Sequence, residues 1–187
     1  MSNIVKIKQY DIANGKGIRT SIFFSGCEFK CKGCFNAEAW DFDNGEPVTK
    51  ELYETKIKPT INEHIDGISI LGGEPLHPKN LRAVLFLIVL FKHDFPNKSV
   101  WLWTGYTWEE LAKSYSCTQE EYKKLSDEDF SRNILIRDIL RKINVLVDGQ
   151  YIEEQRDLTL KWRGSKNQRV INVRESLGRK EIVKYCK

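Results

Sequence analysis

Residues 22–40 read Ile22-Phe23-Phe24-Ser25-Gly26-Cys27-Glu28-Phe29-Lys30-Cys31-Lys32-Gly33-Cys34-Phe35-Asn36-Ala37-Glu38-Ala39-Trp40. The apolar run at its head predicts a buried strand over 20–25, with a loop at that strand's C-terminal end. Three of the five cysteines, Cys27, Cys31 and Cys34, stand in the loop as C-x3-C-x2-C. The same spacing fits one face of a helix. A straight helix would spread the sulfurs along about 10 Å of axis, at about 1.5 Å per residue. That is too far for one compact site, so the segment should wrap, and Gly26 and Gly33 give it the freedom to do so.

Three thiolates this close suit a soft metal site. A tetrahedral structural zinc needs four ligands, and no fourth Cys or His lies nearby. A 4Fe–4S cluster is one ligand short as well, which leaves one iron open to a substrate or cofactor. The plainer alternatives are three structural thiols or part of a disulfide set. The odd cysteine count and the lack of a recognisable signal peptide argue against a secreted, disulfide-stapled domain. A reducing cytoplasm is the expected setting.

On either side of this stretch, strands and helices alternate. Residues 1–10 predict an edge strand, 11–19 a glycine-punctuated loop, 36–40 a short helical turn, and Asn44-Gly45-Glu46-Pro47 a turn. Thr49 caps a helix over 50–64 that Pro59 should kink or break. A strand over 67–71 ends in Gly72-Gly73-Glu74-Pro75. Pro78 is placed as the first residue of a helix to about 94, with Leu81, Val84, Leu85, Ile88 and Val89 at helical spacing. A strand over 99–103 leads to the turn Thr104-Gly105-Tyr106, and Thr107 caps a helix over 108–115. Residues 116–131 read as a charged, inserted surface helix or loop, helical patterning resumes over 134–140, and a strand over 142–147 closes at Asp148-Gly149. The tail is basic and expected to be loosely held.

The order predicts a single α/β domain over 1–187 with a mostly parallel sheet. In such a sheet the cluster loop and the turns at 72–75, 104–106 and 148–149 share one edge, where these folds bind ligands. Four or five core strands cannot close as an eight-stranded barrel does. The chain carries 30 basic and 26 acidic residues, a net charge of +4, scattered and too mild to call for nucleic acid. The longest apolar run, 83–91, is too short to cross a bilayer. Neither a Ser–His–Asp set nor a Walker-type phosphate loop is present.

C-x3-C-x2-C followed by Phe35 resembles the cluster loop of radical S-adenosylmethionine enzymes. Further pieces narrow the likeness: Asn14-Gly15-x-Gly17-x-Arg19, Cys34-Phe35-Asn36 with Trp40, Gly72-Gly73-Glu74-Pro75-Leu76-His77-Pro78, Trp103-Thr104-Gly105-Tyr106, Val145-Leu146-Val147-Asp148-Gly149 and Trp162-Arg163-Gly164-Ser165. In that order, over residues 8–172, they resemble the glycyl-radical activases that serve anaerobic ribonucleoside-triphosphate reductase. Against a compact member of that family, the stretch at about 116–138 is an insertion and the chain from about 174 an added tail.

The resemblance implies an open, partial (β/α) barrel. It implies that Cys27, Cys31 and Cys34 bind three irons of a 4Fe–4S cluster, the fourth iron taking the amino and carboxylate groups of S-adenosylmethionine. An electron then splits the sulfonium C–S bond, and the 5′-deoxyadenosyl radical takes a hydrogen from a glycine Cα in the catalytic subunit of anaerobic ribonucleoside-triphosphate reductase. A flavodoxin-like protein is the expected electron donor. Gly72, Gly73 and Glu74 match the motif that receives the methionine amino group, against the plainer reading of a strand-to-helix turn. Phe35 is implied beside the adenine, helped by backbone around Gly33 and Cys34, or else it packs in the core. Asn36 either bonds the cofactor or caps the next turn. Thr104 and Tyr106 line a pocket or form a turn. Asp148 binds the ribose, positions the partner peptide, or shapes an Asp-Gly turn. Arg19, Trp162 and Arg163 are family-like without readable chemistry. His77 is expected to be structural, and His64 and His93 stand in no motif. Cys117 and Cys186 are expected to be spare thiols. Rival readings are an activase for pyruvate formate-lyase, a small radical enzyme such as a deazapurine synthase, and a non-catalytic metal-binding module.

Overall fold

A computed structural model describes residues 2–116 and 119–186. Cys117 lies outside the described residues. The seven strands are β1 (Asn3–Asp11), β2 (Arg19–Phe24), β3 (Glu46–Pro47), β4 (Gly67–Gly72), β5 (Ser99–Trp103), β6 (Val145–Asp148) and β7 (Arg169–Asn172). They form one open sheet in the order β3-β1-β2-β4-β5-β6-β7. The four central strands, β2, β4, β5 and β6, run parallel, while β1, β3 and β7 join antiparallel at the flanks. The N-terminal strand is therefore one place in from the edge, and β3 occupies the stretch expected to be only a turn.

The helices are α1 (Lys50–Leu52), α2 (Leu81–Asp94), α3 (Trp108–Ser116), α4 (Gln119–Tyr122), α5 (Asp127–Lys142) and α6 (Val173–Arg179). Alternation along the strands sorts the side chains between two faces. Ile22, Phe24, Ile68, Ile70, Val100, Leu102, Leu146 and Ile171 join the main core with buried residues of α2, α3 and α5. Trp101, Val145, Val147 and Val170 form a second cluster with Trp103, Trp162 and Cys186. Cys186 is thus half-buried against an apolar cluster.

Several expected boundaries are corrected. Thr49 caps as predicted, accepting from the Leu52 N–H at 3.0 Å. The helix then loosens through a π turn, Tyr53–Ile57, and a 3-10 turn, Lys58–Thr60, and ends there rather than at 64. Pro59 has no N–H to continue the α ladder. The helix after β4 starts at Leu81, not Pro78, because the intervening turn is tied elsewhere. Asn80 Nδ2 donates to the Ser25 carbonyl at 2.8 Å and the Glu74 carbonyl at 2.9 Å.

The charged stretch runs directly into α5. Ser126 caps that helix through the Asp129 N–H, and Ile136, Ile139 and Leu140 are buried. The tail is held rather than loose. The Asn172 N–H donates to the Val183 carbonyl and the Tyr185 N–H to the Val170 carbonyl, each at 2.8 Å. The Tyr185 ring packs edge-on against Trp101 with centroids 5.0 Å apart. The missed strand β7 carries only two fully buried residues, Val170 and Ile171. Among the described residues no helix is long and apolar enough to cross a membrane.

Candidate functional site

The four parallel strands end at one edge, and the loops that leave them enclose a cavity of about 470 Å³. Cys27, Cys31, Gly33, Cys34 and Phe35 line it from the loop after β2. Gly72, Gly73 and Glu74 line it after β4, and Thr104 after β5. Ten of the eleven residues that the sequence assigns to the site thus divide as nine on the wall and one, Asp148, away from it; the eleventh, Asn36, is also off the wall.

The cysteine loop wraps as predicted. Its ends are pinned by backbone bonds, from the Gly26 N–H to the Ala39 carbonyl at 2.8 Å and from the Cys27 N–H to the Trp40 carbonyl at 3.1 Å. The Cys34 N–H closes a turn on the Cys31 carbonyl at 3.1 Å. Gly33 sits between them at φ +72°, a left-handed backbone that favours glycine, with the movable Glu153 carboxylate packed over it. Cys27 is buried, while Cys31 and Cys34 are half-buried. Burial pushes the Cys27 thiol up to about 11, although the Phe29 and Lys30 N–H groups act the other way.

Gly73 meets the cysteine loop directly. A Cβ there would stand 2.6 Å from the Gly26 carbonyl oxygen and 2.7 Å from that of Ala39. The next residue joins the loops after β4 and β5. The buried Glu74 carboxylate accepts from the Leu76 N–H at 2.8 Å and from the Thr104 hydroxyl and Gly105 N–H at 2.7 Å each. Burial raises its pKa to about 7 against the pull of those three donors. The turn residues at 72–75 and 104–105 are therefore one hydrogen-bonded unit on the cavity wall.

Three thiols on one loop, facing one cavity, are a soft donor set. Among the described residues no group of three or more His, Cys, Asp or Glu side chains is drawn together as for a single ion. A lone zinc would hold its sulfurs at about 2.3 Å. A four-iron cluster takes each thiolate on a different iron and so accepts a wider set. The donor set fits that group.

Residues 13–171 match the 4Fe-4S single cluster domain family. Curated relatives are named anaerobic ribonucleoside-triphosphate reductase-activating protein. The one from Salmonella typhi is 38% identical over 167 residues, covering 88% of this chain and 94% of its own. That from Vibrio cholerae is 40% identical over 160 residues, covering 84% and 90%. That from Escherichia coli K12 is 36% identical over 166 residues, covering 88% and 94%. The chain belongs to this family.

The residues off the cavity wall have other work. Asp148 is fully buried. Its Oδ2 accepts from the Trp108 N–H at 2.7 Å, at the start of α3, and Arg169 bonds both of its carboxylate oxygens. Arg169 in turn bridges to Glu109 at 2.7 Å. Asn36 is buried, and its Nδ2 has no hydrogen-bond partner among the described residues. Tyr106 packs edge-on against Phe29, with centroids 5.1 Å apart, instead of lining the cavity. His77 is buried, accepts from the Lys79 N–H at Nδ1 and lies against Phe42.

The loop between β6 and β7 supplies wall that the sequence did not point to. Tyr151, Arg156, Leu158 and Leu160 line the cavity with Trp162 and Arg163. The available signal was topological: Gly149 ends a parallel strand at the same edge as the other three loops. Arg19 lies at the opposite edge, fully buried, where all its donors are taken by Ser69, Ser99, Lys16 and Ile68.

Proposed function

We propose that the chain is a radical S-adenosylmethionine activase of the partial-barrel type, acting on the catalytic subunit of anaerobic ribonucleoside-triphosphate reductase. The observation that carries this is a cavity walled on one side by Cys27, Cys31 and Cys34 and on another by the Gly72–Glu74 turn. Cys27, Cys31 and Cys34 would each hold one iron of a 4Fe–4S cluster, leaving the fourth for the cofactor. When bound, the cluster and cofactor supply a one-electron cleavage of the sulfonium C–S bond and the removal of one hydrogen from a partner glycine, which becomes a glycyl radical.

The protein's part is to hold and shield. Gly72 and Gly73 leave bare backbone beside the cysteine loop, where an ammonium can approach carbonyl oxygens closely. The Glu74 bonds to Thr104 and Gly105 fix that wall. Phe35 stands 82% exposed at the cavity, available as a face for the adenine. Glycine loop and cofactor must enter by the same open edge, which suits a sheet that does not close. The proposed electron donor is flavodoxin-like, and the proposed setting is a reducing cytoplasm.

The test is anaerobic reconstitution of wild type and Cys31→Ala, followed by dithionite and cofactor. Wild type should release methionine and, with the reductase subunit present, give a glycyl electron-paramagnetic signal. Cys31→Ala should give neither. Undiminished methionine release by the variant, or a glycyl signal on pyruvate formate-lyase in place of the reductase, overturns the assignment.

A further inference from the structure

The cavity is lined by a cation that no described residue pairs. Its charged lining residues are Glu74, Arg156, Asp157 and Arg163. Glu74 is satisfied by three donors. Asp157 accepts from Thr159 at 2.6 Å and faces Lys166 at 3.8 Å. Arg156 faces Glu153 at 3.7 Å. Arg163 makes no ion pair or hydrogen bond among the described residues, and its Nε is buried without an acceptor. Two other arginines, Arg132 and Arg137, also have a buried, unpartnered Nε, but neither lines the cavity.

The position of Arg163 is built, not incidental. Trp162, just before it, holds a left-handed backbone at φ +61°, which a bulky residue adopts only when its surroundings enforce it. Here the Trp103 indole N–H donates to the Trp162 carbonyl at 2.9 Å, and the Trp162 ring packs edge-on against Trp101 at 5.0 Å. On the other side, the Gly164 N–H donates to the Gln168 side chain at 2.8 Å, and Ser165 is fully buried. Both neighbours are clamped, so the guanidinium is presented from a fixed point. Arg163 is half-buried, and its terminal nitrogens, which no described residue engages, are the ones open to a ligand. A guanidinium presents a planar fork that matches a carboxylate.

We infer that Arg163 receives the carboxylate of an α-amino-acid group bound in the cavity, that of the methionine half of S-adenosylmethionine. This rests on the cofactor assignment above and adds to it a protein residue for the carboxylate. Arg163 is then a binding and positioning residue, which orients the amino-acid end of the cofactor against the cysteine loop.

The experiment measures affinity rather than turnover, on the anaerobically reconstituted full-length chain. Two probes are titrated, S-adenosylmethionine and its decarboxylated analogue, into wild type, Arg163→Gln, Arg163→Lys and Arg132→Gln, the last at an arginine off the cavity wall. Arg163→Gln should weaken S-adenosylmethionine roughly ten- to a hundredfold, the range of a charge-assisted hydrogen bond. It should leave the decarboxylated analogue within about twofold of wild type, which also shows that the variant is folded. Arg163→Lys should recover part of the loss, and Arg132→Gln should change neither affinity by more than about threefold. Equal weakening of both probes by Arg163→Gln, or no weakening of either, overturns the inference. Intact cofactor affinity with weakened binding of the reductase subunit also overturns it, assigning Arg163 to the partner instead. If wild type binds neither probe, the cofactor assignment itself has failed, an outcome distinct from the others.

Discussion

The two edges of the parallel strands treat buried charge in opposite ways. Where the strands begin, Arg19 is fully buried with no hydrogen-bonded acid among the described residues, yet each of its nitrogens has a neutral acceptor. The fork reaches Ser69 on β4 and Ser99 on β5, so one side chain ties three strands together. Burial lowers its pKa to about 10, with Asp66 opposing, so it stays charged at neutral pH. Where the strands end, Glu74 is also buried and saturated, but it joins two loops beside an open cavity, and Arg163 there is unpaired among the described residues. One edge spends its polar groups on closing the fold, while the other leaves a cation on the cavity wall that no described residue pairs. The chemistry of the chain is legible from which polar groups remain unspent.

The largest expected effect breaks the closed edge. Arg19→Met keeps the apolar stem and removes the fork, stranding hydroxyls and carbonyls on two strands. A loss of about 3–5 kcal/mol is expected in equilibrium denaturation. Cofactor affinity of the remaining folded protein should be unchanged. Lost affinity at intact stability would erase the distinction between the edges.

Glu74→Gln sharpens the contrast from the other side. A carboxamide puts an N–H₂ where an oxygen accepts, so about 1–3 kcal/mol should be lost, together with cofactor affinity. The same residue sets a pH dependence. Its folded pKa, about 7, lies above the ordinary 4.5, so the folded state holds the proton more tightly than the unfolded chain. Its contribution is therefore full below about pH 4.5 and lost as pH rises through 7. Denaturation midpoints followed over that window should fall for wild type and lose that slope in Glu74→Gln.

Asp148→Asn tests a residue that sits between the two behaviours. Its carboxylate holds Arg169 and the first N–H of α3, so about 1–2 kcal/mol of stability should go. Cofactor affinity should stay within about twofold, and a larger fall would bring Asp148 back to the cavity. Phe35→Ala should move stability by no more than about 0.5 kcal/mol, as expected for a ring that is 82% exposed. Its effect should appear only in adenosine-containing ligands, as a fall in affinity of roughly fivefold or more.

Much of this was readable from residues alone, for physical reasons. Apolar runs such as Ile22-Phe23-Phe24 and Val100-Trp101-Leu102 are buried on both faces, so they stand out as central parallel strands. Parallel order then places every following loop at one edge without further information. Strand β7 was not readable because two buried residues give no period, and its pairing with β6 is long-range. The early end of the first helix and the late start of α2 depend on tertiary bonds, the latter on Asn80 reaching the Ser25 and Glu74 carbonyls. Asp148 stayed ambiguous for a related reason: an Asp-Gly pair after a strand looks the same whether the carboxylate faces a ligand or Arg169. Arg163 could be named from its motif, but only packing reveals that no described residue pairs with it.

The central claim is that the three cysteines leave one iron without a side chain, and that the cofactor's amino group takes it. Electron–nuclear double resonance on the reduced cluster, with S-adenosylmethionine carrying ¹⁵N at the amino group, reads this directly. The account predicts a ¹⁵N coupling in wild type that appears when the cofactor binds. Cofactor bound with no such coupling, or a fourth protein ligand found on that iron, would contradict it.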